Sequence, residues 1–329
     1  MNIKNNLRFF LYLILLASGL PFLLGFLNDL HPLFDSFSHF RVHLLMVLLP
    51  TLLILAFFHE KRNSFIFLGL VVLGGLYLYF ITQPFKAEPL DPKKTHTLKH
   101  LQFNLNFKNR RMDDFKAYLK ETKPDVVTLQ EVTPEHIESL QELQYNLYLV
   151  EFTKKYPFLE REKGEYPYQS YCKFQSVGGV AILSKHPINK EKSVCLEGKG
   201  LLWSQIIVDE QPINIVSIHT YWPYPHHQPE QIDLIKQVFQ HITPPTLIAG
   251  DFNAAAWSHT VKEIERVSQT KVVEGMRWSI ALEEQFSAIP NFKLAIDHVL
   301  LSKEFQVEEI FVEKGLGSDH FPIVSKIRY

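Results

Sequence analysis

Three uncharged stretches near the start of the chain constrain it more than anything that follows. Phe9 to Leu27 (FFLYLILLASGLPFLLGFL), Val42 to Phe58 and Phe65 to Ile81 contain no Asp, Glu, Lys or Arg. At 1.5 Å per residue the first covers roughly 28 Å, close to the thickness of a bilayer's hydrocarbon core. A cleaved signal peptide would explain the first run alone. Lys4 and Arg8 suit its basic start, but the apolar part is long and lacks a clear A-x-A cleavage site. Buried core helices would explain the other two. Three such runs at short spacing point instead to three transmembrane helices, with the lipid bilayer as partner. Pro21 and Pro50 are tolerable inside them.

Orientation follows from Lys and Arg in the short loops. Lys4 and Arg8 precede the first run, and Lys61 and Arg62 lie between the second and third. The intervening loop holds Asp29, Asp35 and only Arg41. This bias puts the N-terminus and the second loop inside. Everything after Ile81 then lies outside a cytoplasmic (inner) membrane, on its periplasmic or equivalent face. Lys86, Lys93 and Lys94, just past the third run, argue the other way.

The rest has the composition of a globular protein. The 329-residue chain carries 34 Lys+Arg and 35 Asp+Glu, a net charge of −1, so it lacks the overall basic balance of a duplex-DNA binder. The 2 cysteines, Cys172 and Cys195, make neither a disulfide scaffold nor a zinc ribbon. Their spacing leaves open whether they pair. Residues 1–83 read as the membrane anchor. Residues 84–96, PFKAEPLDPKKTH, with three prolines and no periodicity, read as a linker, and 97–329 as one domain.

Within that domain strand and helix signals alternate. HLQFNLN (from His100) has period two, with Leu101, Phe103 and Leu105 on one side. Met112, Phe115 and Leu119 follow helical spacing. DVVTLQEV, GGVAILS, LLWSQIIV, INIVSIHT, TLIAGDF, LAIDHVLLS and FPIVSKIRY read as strands, and Gln228 to Ile242 as a helix. A layered α/β domain accommodates this pattern.

Several apolar strands end on residues that are costly to bury. Asn104 follows the first, Gln130-Glu131 the second, and His219 ends IVSIH. Asp251 and Asn253 end LIAGDFN, Asp297 interrupts an apolar strand, and Asp319-His320 precede the last. Each has a plain explanation on its own. Asn104 would be solvated, Glu131 a helix cap, His219 a core histidine, Gly-Asp-x-Asn a turn, Asp297 a partner for a structural cation, and Ser318-Asp319 another turn. Their joint occurrence is what asks for a shared purpose.

The segments FNLN, LQEV, GDFNA, IDHVLLS and GSDHFPIV, in this order, resemble the endonuclease/exonuclease/phosphatase (DNase I-like) family over Leu98 to Tyr329. The three-span front end resembles membrane-bound bacterial members. The resemblance implies a four-layer sandwich: two packed mixed β-sheets flanked by helices. It also implies metal-assisted attack of water on a phosphodiester in nucleic acid, a phospholipid headgroup or a small molecule. Glu131 would be the main ligand of Mg²⁺ (Mn²⁺ is the alternative), with Asn104 beside it and Asp319 contributing directly or through water. Asp251 would orient or deprotonate the water, and Asn253 would hold it or a phosphate oxygen. His320 would donate to a phosphate oxygen, with Asp297 fixing its tautomer and favouring its charge. His219 would assist near the leaving group. Asn104, Asn253 and His320 would thus touch substrate. The competing reading is an inactive membrane-anchored scaffold on the same fold, which would not need Asp251, Asp319 and His320 together. No protein partner can be named.

Two stretches stand outside the resemblance. HTYWPYPHHQPEQ, from His219, would stack bases, lie against headgroups, or simply form a rigid loop. Its three histidines fit no zinc spacing. KNRR, Lys108 to Arg111, would hold substrate phosphates or face water as a charged helix start.

Overall fold

A computed structural model describes residues 3–59, 61–145, 163–282 and 292–329. Helices α1 (Ile3–Leu24), α3 (Arg41–Phe58) and α4 (Lys61–Ile81) take up the three apolar runs. Each is long and apolar enough to cross a membrane. α3 packs between α1 and α4, burying Val42, Leu45, Leu52 and Leu55. α4 packs on α3 and leaves Phe65, Leu70, Leu73 and Phe80 of its other faces exposed. The side chains of Lys61 and Arg62, on which the loop bias partly rests, lie outside the described residues.

The remaining chain forms two six-stranded mixed sheets. The first contains β1 (Thr97–Asn104), β2 (Val126–Val132), β3 (Tyr168–Gln175), β4 (Gly178–Ser184), β13 (Gln306–Val312) and β14 (Ile323–Arg328). Its order is β13-β14-β1-β2-β4-β3. The second contains β5 (Ile188–Leu196), β6 (Leu201–Val208), β7 (Gln211–His219), β8 (Thr246–Asp251), β9 (Thr270–Val272) and β12 (Asp297–Ser302), in the order β5-β6-β7-β8-β12-β9. A ribbon of β10 (Ile280–Ala281) and β11 (Lys293–Leu294) stands apart.

Helices α5 (Met112–Thr122) and α6 (Pro134–Gln141) cover the outer face of the first sheet, where Phe115, Leu119 and Leu140 meet Phe103 and Leu129. Helices α7 (Gln228–Phe239) and α8 (His259–Ser268) cover the second, with Ile235 and Ile264 against Val216 and Ile248. Between the sheets lie Leu98, Val126, Ile182, Ile215, Leu247 and Val299. This is the expected four-layer sandwich. Strands β3, β5 and β13, unforeseen in the sequence, are peripheral and carry many polar or exposed residues, so they lack a clean alternating signal. Cys172 on β3 and Cys195 on β5 form a disulfide with Cα atoms 5.3 Å apart, joining the edge of one sheet to the edge of the other.

Residues 84–96 run without helix or strand but lie along the domain. Met276 N–H donates to the Gln83 carbonyl, and His96 stacks on Tyr329. The N-terminal helices also touch the domain through the short helix α2 (Pro32–Ser38) between α1 and α3. Asp35, buried, accepts from His259 N–H at 2.8 Å and Thr260 N–H at 3.2 Å, while Ser258 caps the same helix through Val261 N–H. A carboxylate at a helix N-terminus satisfies orphan donors and complements the helix dipole. Asp35→Ala is therefore expected to lower the stability of the full chain by about 1–2 kcal/mol. A thermal melt in detergent reads this, and an unchanged midpoint would remove Asp35 from the junction.

Candidate active site

The inner face of each sheet changes character along its strands. On β1 it reads Leu98, His100, Gln102, Asn104, and on β2 Val126, Thr128, Gln130. On β7 it reads Ile213, Ile215, Ser217, His219, and on β8 Leu247, Ala249, Asp251. Period two makes these residues neighbours on one face. The apolar ends meet between the sheets as core, and the polar ends meet at one edge of the sandwich. The polar side of β1 is thus fully buried rather than solvated. Buried polar groups need partners, and most of these have them, Gln102 Oε1 and His219 Nδ1 being the exceptions. His100 bridges Ser325 and Thr128, Gln102 donates to Gln130 and Asp297, and Gln130 donates to Ser217 on the opposite sheet.

Strand register assembles the next layer. His219 pairs with Asp251 in the parallel β7/β8 ladder, and Asp251 with Asp297 in the antiparallel β8/β12 ladder. Gly250 permits this, since a Cβ there would collide with the Ile218 carbonyl oxygen of β7. Asp251 is the hub. Its Oδ2 receives Asn104 Nδ2 at 3.1 Å and lies 3.5 Å from His219 Nε2 and 3.6 Å from His320 Nε2. Its Oδ1 accepts Asn253 N–H at 2.8 Å. His320 Nδ1 donates to Asp297 Oδ2 at 2.8 Å, and the other Asp297 oxygen accepts Gln102 at 2.9 Å.

These contacts divide the charge. Burial, and then the neighbouring Asp297, push Asp251 up to about 8. Burial opposes the charge on His320, but Asp297 and Asp251 outweigh it and raise His320 to about 10. Burial lowers His219 to about 3, and the cationic His320 pushes the same way. The site therefore holds one charged histidine between two acids and one neutral histidine beside them.

Glu131 reaches the site through a bulge. A regular β2 would turn Gln130 and Glu131 to opposite faces. The register against β4 shifts between Leu129 and Val132, and Glu131 adopts φ +54°. Its carboxylate then accepts Phe107 N–H at 2.9 Å and Asn104 Nδ2 at 3.2 Å. Burial raises its pKa, with Phe107 N–H and His320 drawing it back. Asn106 and Asn253 also sit in left-handed backbone, at φ +60° and +45°. Such backbone costs roughly 1 kcal/mol or more per residue and clusters where geometry serves a site.

These residues line a cleft of about 740 Å³, with Glu131, Asp251, Asn253, Asp319, His219 and His320 in its walls. Asp297 and Asn104 support it from behind. Asn104 was expected as a metal neighbour, yet its oxygen accepts Asn106 N–H at 3.0 Å and its amide nitrogen faces Glu131 and Asp251. Its amide thereby links the two acids in this arrangement. Asn253 donates to the Thr220 carbonyl at 2.8 Å.

Sequence reasoning passed over Gln102 and Asn106. Asn106 Nδ2 donates to Asp319 at 2.7 Å. Gln102 shares the face of Asn104, which was the available signal. KNRR contributes Lys108 to the cleft wall, while Arg111 pairs with Asp114 of α5 at 2.6 Å.

Among the described residues, the tightest group of acidic and histidine ligand atoms is Asp251, Asp297 and His320, all within 4.8 Å. Those atoms are largely committed to one another and to Gln102 and Asn253. Besides Asp251, the carboxylates that line the cleft are Glu131 and Asp319. A pair of hard oxygen donors facing a wet cleft, one held against the cost of burial, fits a divalent cation such as Mg²⁺ that keeps several waters.

Among curated proteins none matches the chain. Solved structures do. A humanised D. rerio TDP2 is 17% identical, covering 71% of this chain and 99% of its own, with a TM-score of 0.51. An endonuclease/exonuclease/phosphatase family protein from Leptotrichia buccalis is 19% identical, covering 70% and 100%, with a TM-score of 0.50. The endonuclease/exonuclease/phosphatase from Bacteroides vulgatus is 15% identical, covering 71% and 99%, with a TM-score of 0.51. At these identities the likeness establishes the fold. The model of the Endonuclease/Exonuclease/phosphatase family matches residues 101–320, two thirds of the chain. With its two mixed sheets and the motif residues gathered at one edge, the chain belongs to the endonuclease/exonuclease/phosphatase family.

Proposed function

We propose that the chain is a membrane-tethered, divalent-metal-dependent phosphodiesterase. The observation that carries this reading is the buried Asp297–His320 pair at 2.8 Å, set beside Asp251 at the head of an acid-lined cleft. Water attacks phosphorus, its oxygen forms the new P–O bond, and the bond to the leaving oxygen breaks. Asp251 orients the water and takes its proton. His320, charged and held by Asp297, donates to a non-bridging phosphate oxygen as negative charge builds. Asn253 holds the water or a phosphate oxygen. His219, neutral, would donate only a hydrogen bond near the leaving oxygen, which takes its proton from solvent water. Glu131 and Asp319 would hold the cation, which would neutralise phosphate charge and favour the ionised form of nearby acids. The test is hydrolysis of bis-p-nitrophenyl phosphate by the purified full chain with Mg²⁺ or Mn²⁺. Activity should vanish in EDTA, and EDTA-resistant turnover would defeat the metal reading.

The domain lies outside the cytoplasmic membrane in this proposal. The Lys/Arg bias of the short loops supports it, and so does the Cys172–Cys195 disulfide, which persists in an oxidising space. An alkaline phosphatase fusion after Lys94 should be active, and the denatured, unreduced chain should resist maleimide. An inactive fusion together with two labelled thiols would reverse the orientation.

A further inference from the structure

The cleft is bordered by the anchor. Three segments that frame the catalytic residues each end on the membrane module. First, Trp222 lines the cleft, and two residues on Tyr224 meets His31 edge to face at 5.7 Å and accepts Ser36 Oγ through its carbonyl. Second, the loop leaving Asp251 and Asn253 runs into Ala255, whose N–H donates to His39 Nδ1 at 3.1 Å. Trp257 then donates to the Ser38 carbonyl at 2.7 Å. Third, the β10–β11 ribbon links His320 to a membrane helix. Ile280 bridges His320, and Ala281 N–H donates to the Asp319 carbonyl. On the other strand, the Lys293 carbonyl accepts His43 Nε2 at 3.0 Å, near the start of α3. The Phe292 and His43 rings are 4.5 Å apart.

The tether therefore does more than keep the domain nearby. It fixes the cleft rim against the membrane ends of the spans at three places. At that rim Trp222 is 46% exposed and Tyr224 45% exposed, and Leu30, past the first span, is 68% exposed. Aromatic and apolar side chains at this level suit the interfacial zone of a bilayer.

The lining argues the same way. Apart from His320, the cationic side chains in the cleft wall are Lys108 and Lys293, facing the acids Glu131, Asp251 and Asp319. A polynucleotide strand is tracked by rows of Lys and Arg along its phosphates, and among the described residues this wall has no such row. Apolar Phe107, Val177, Ile280, Leu282 and Phe321 instead fill the spaces between the polar groups. One phosphodiester with an apolar neighbour matches this wall.

Resting on the phosphodiesterase reading above, we infer that the substrate is a phospholipid of the same bilayer, whose headgroup phosphodiester enters the cleft at the membrane-facing rim. Water's oxygen bonds to phosphorus, one P–O ester bond of the headgroup breaks, and the departing alcohol oxygen takes a proton. Holding enzyme and substrate in one surface raises their effective concentration without new contacts.

The test uses the full chain reconstituted with Mg²⁺ in vesicles of equal parts phosphatidylethanolamine, phosphatidylglycerol, phosphatidylcholine and sphingomyelin. Parent lipid loss is followed by mass spectrometry beside single-stranded DNA, RNA and bis-p-nitrophenyl phosphate. Lipid turnover should exceed oligonucleotide turnover by about a hundredfold per phosphodiester. Brominated lipids should also quench fluorescence that is lost in Trp222→Phe. Hydrolysis of oligonucleotides or of bis-p-nitrophenyl phosphate without lipid hydrolysis overturns the inference and leaves the phosphodiesterase standing. Inertness towards every substrate, with Mg²⁺ and Mn²⁺ alike, defeats the underlying reading and the inference with it.

Discussion

Glu131→Gln is expected to lower turnover by about 10²–10³-fold while leaving the fold intact. The substitution keeps the length and shape of the side chain, and its carbonyl oxygen can still accept Phe107 N–H. It removes the charge that would hold the cation. The parent carboxyl is raised by burial, so the folded state bears a cost for its ionised form that glutamine does not carry. Without metal the variant should melt at or slightly above the parent temperature. Adding Mg²⁺ should raise the melting point of the parent, because a ligand that binds only the folded state stabilises it. That rise should be lost in the variant. A variant that keeps full turnover, or the full Mg²⁺-dependent rise, takes Glu131 out of the metal site.

His320→Ala should lose about a hundredfold or more in kcat, and Asp297→Ala a comparable amount. The double variant should be little worse than His320→Ala alone, since residues acting as a unit are non-additive. The 2.8 Å bond between them is the reason to expect this. Asp297 fixes which imidazole nitrogen would face a substrate, and with Asp251 it keeps His320 charged despite burial. Without His320, that orientation has nothing to act on. Circular dichroism must accompany the rates, because His320→Ala leaves Asp251 and Asp297 as adjacent buried acids in neighbouring strands. Losses that multiply, in folded proteins at saturating Mg²⁺, would mean that Asp297 serves something other than His320.

Much of this protein is written locally. Uncharged runs of bilayer length need no partner to be recognised as candidate spans, because a bilayer would require each to satisfy its own backbone. Strands β1, β2, β4, β6, β7, β8, β12 and β14 are visible for a related reason. They are central or near-central, and their apolar runs or alternation reflect the layers that bury them. The order of Asn104, Glu131, His219, Asp251, Asp297 and His320 at strand ends was also readable.

What joins those residues was not readable, because it depends on register between strands far apart in the chain. His219, Asp251 and Asp297 become neighbours only when β7, β8 and β12 pair in that order. Glu131 faces the cleft because a bulge breaks the alternation that would have turned it away. The polar side of β1 looks solvated by periodicity, yet a second sheet covers it, and Gln102 and His100 are buried among hydrogen-bond partners on other strands. The grip of Asp35 and His39 on the loop after Asn253 spans more than two hundred residues of sequence. Hydropathy and periodicity are properties of a short segment and survive in the sequence. Hydrogen bonds and charge pairs between distant segments exist only once packing has chosen who stands beside whom.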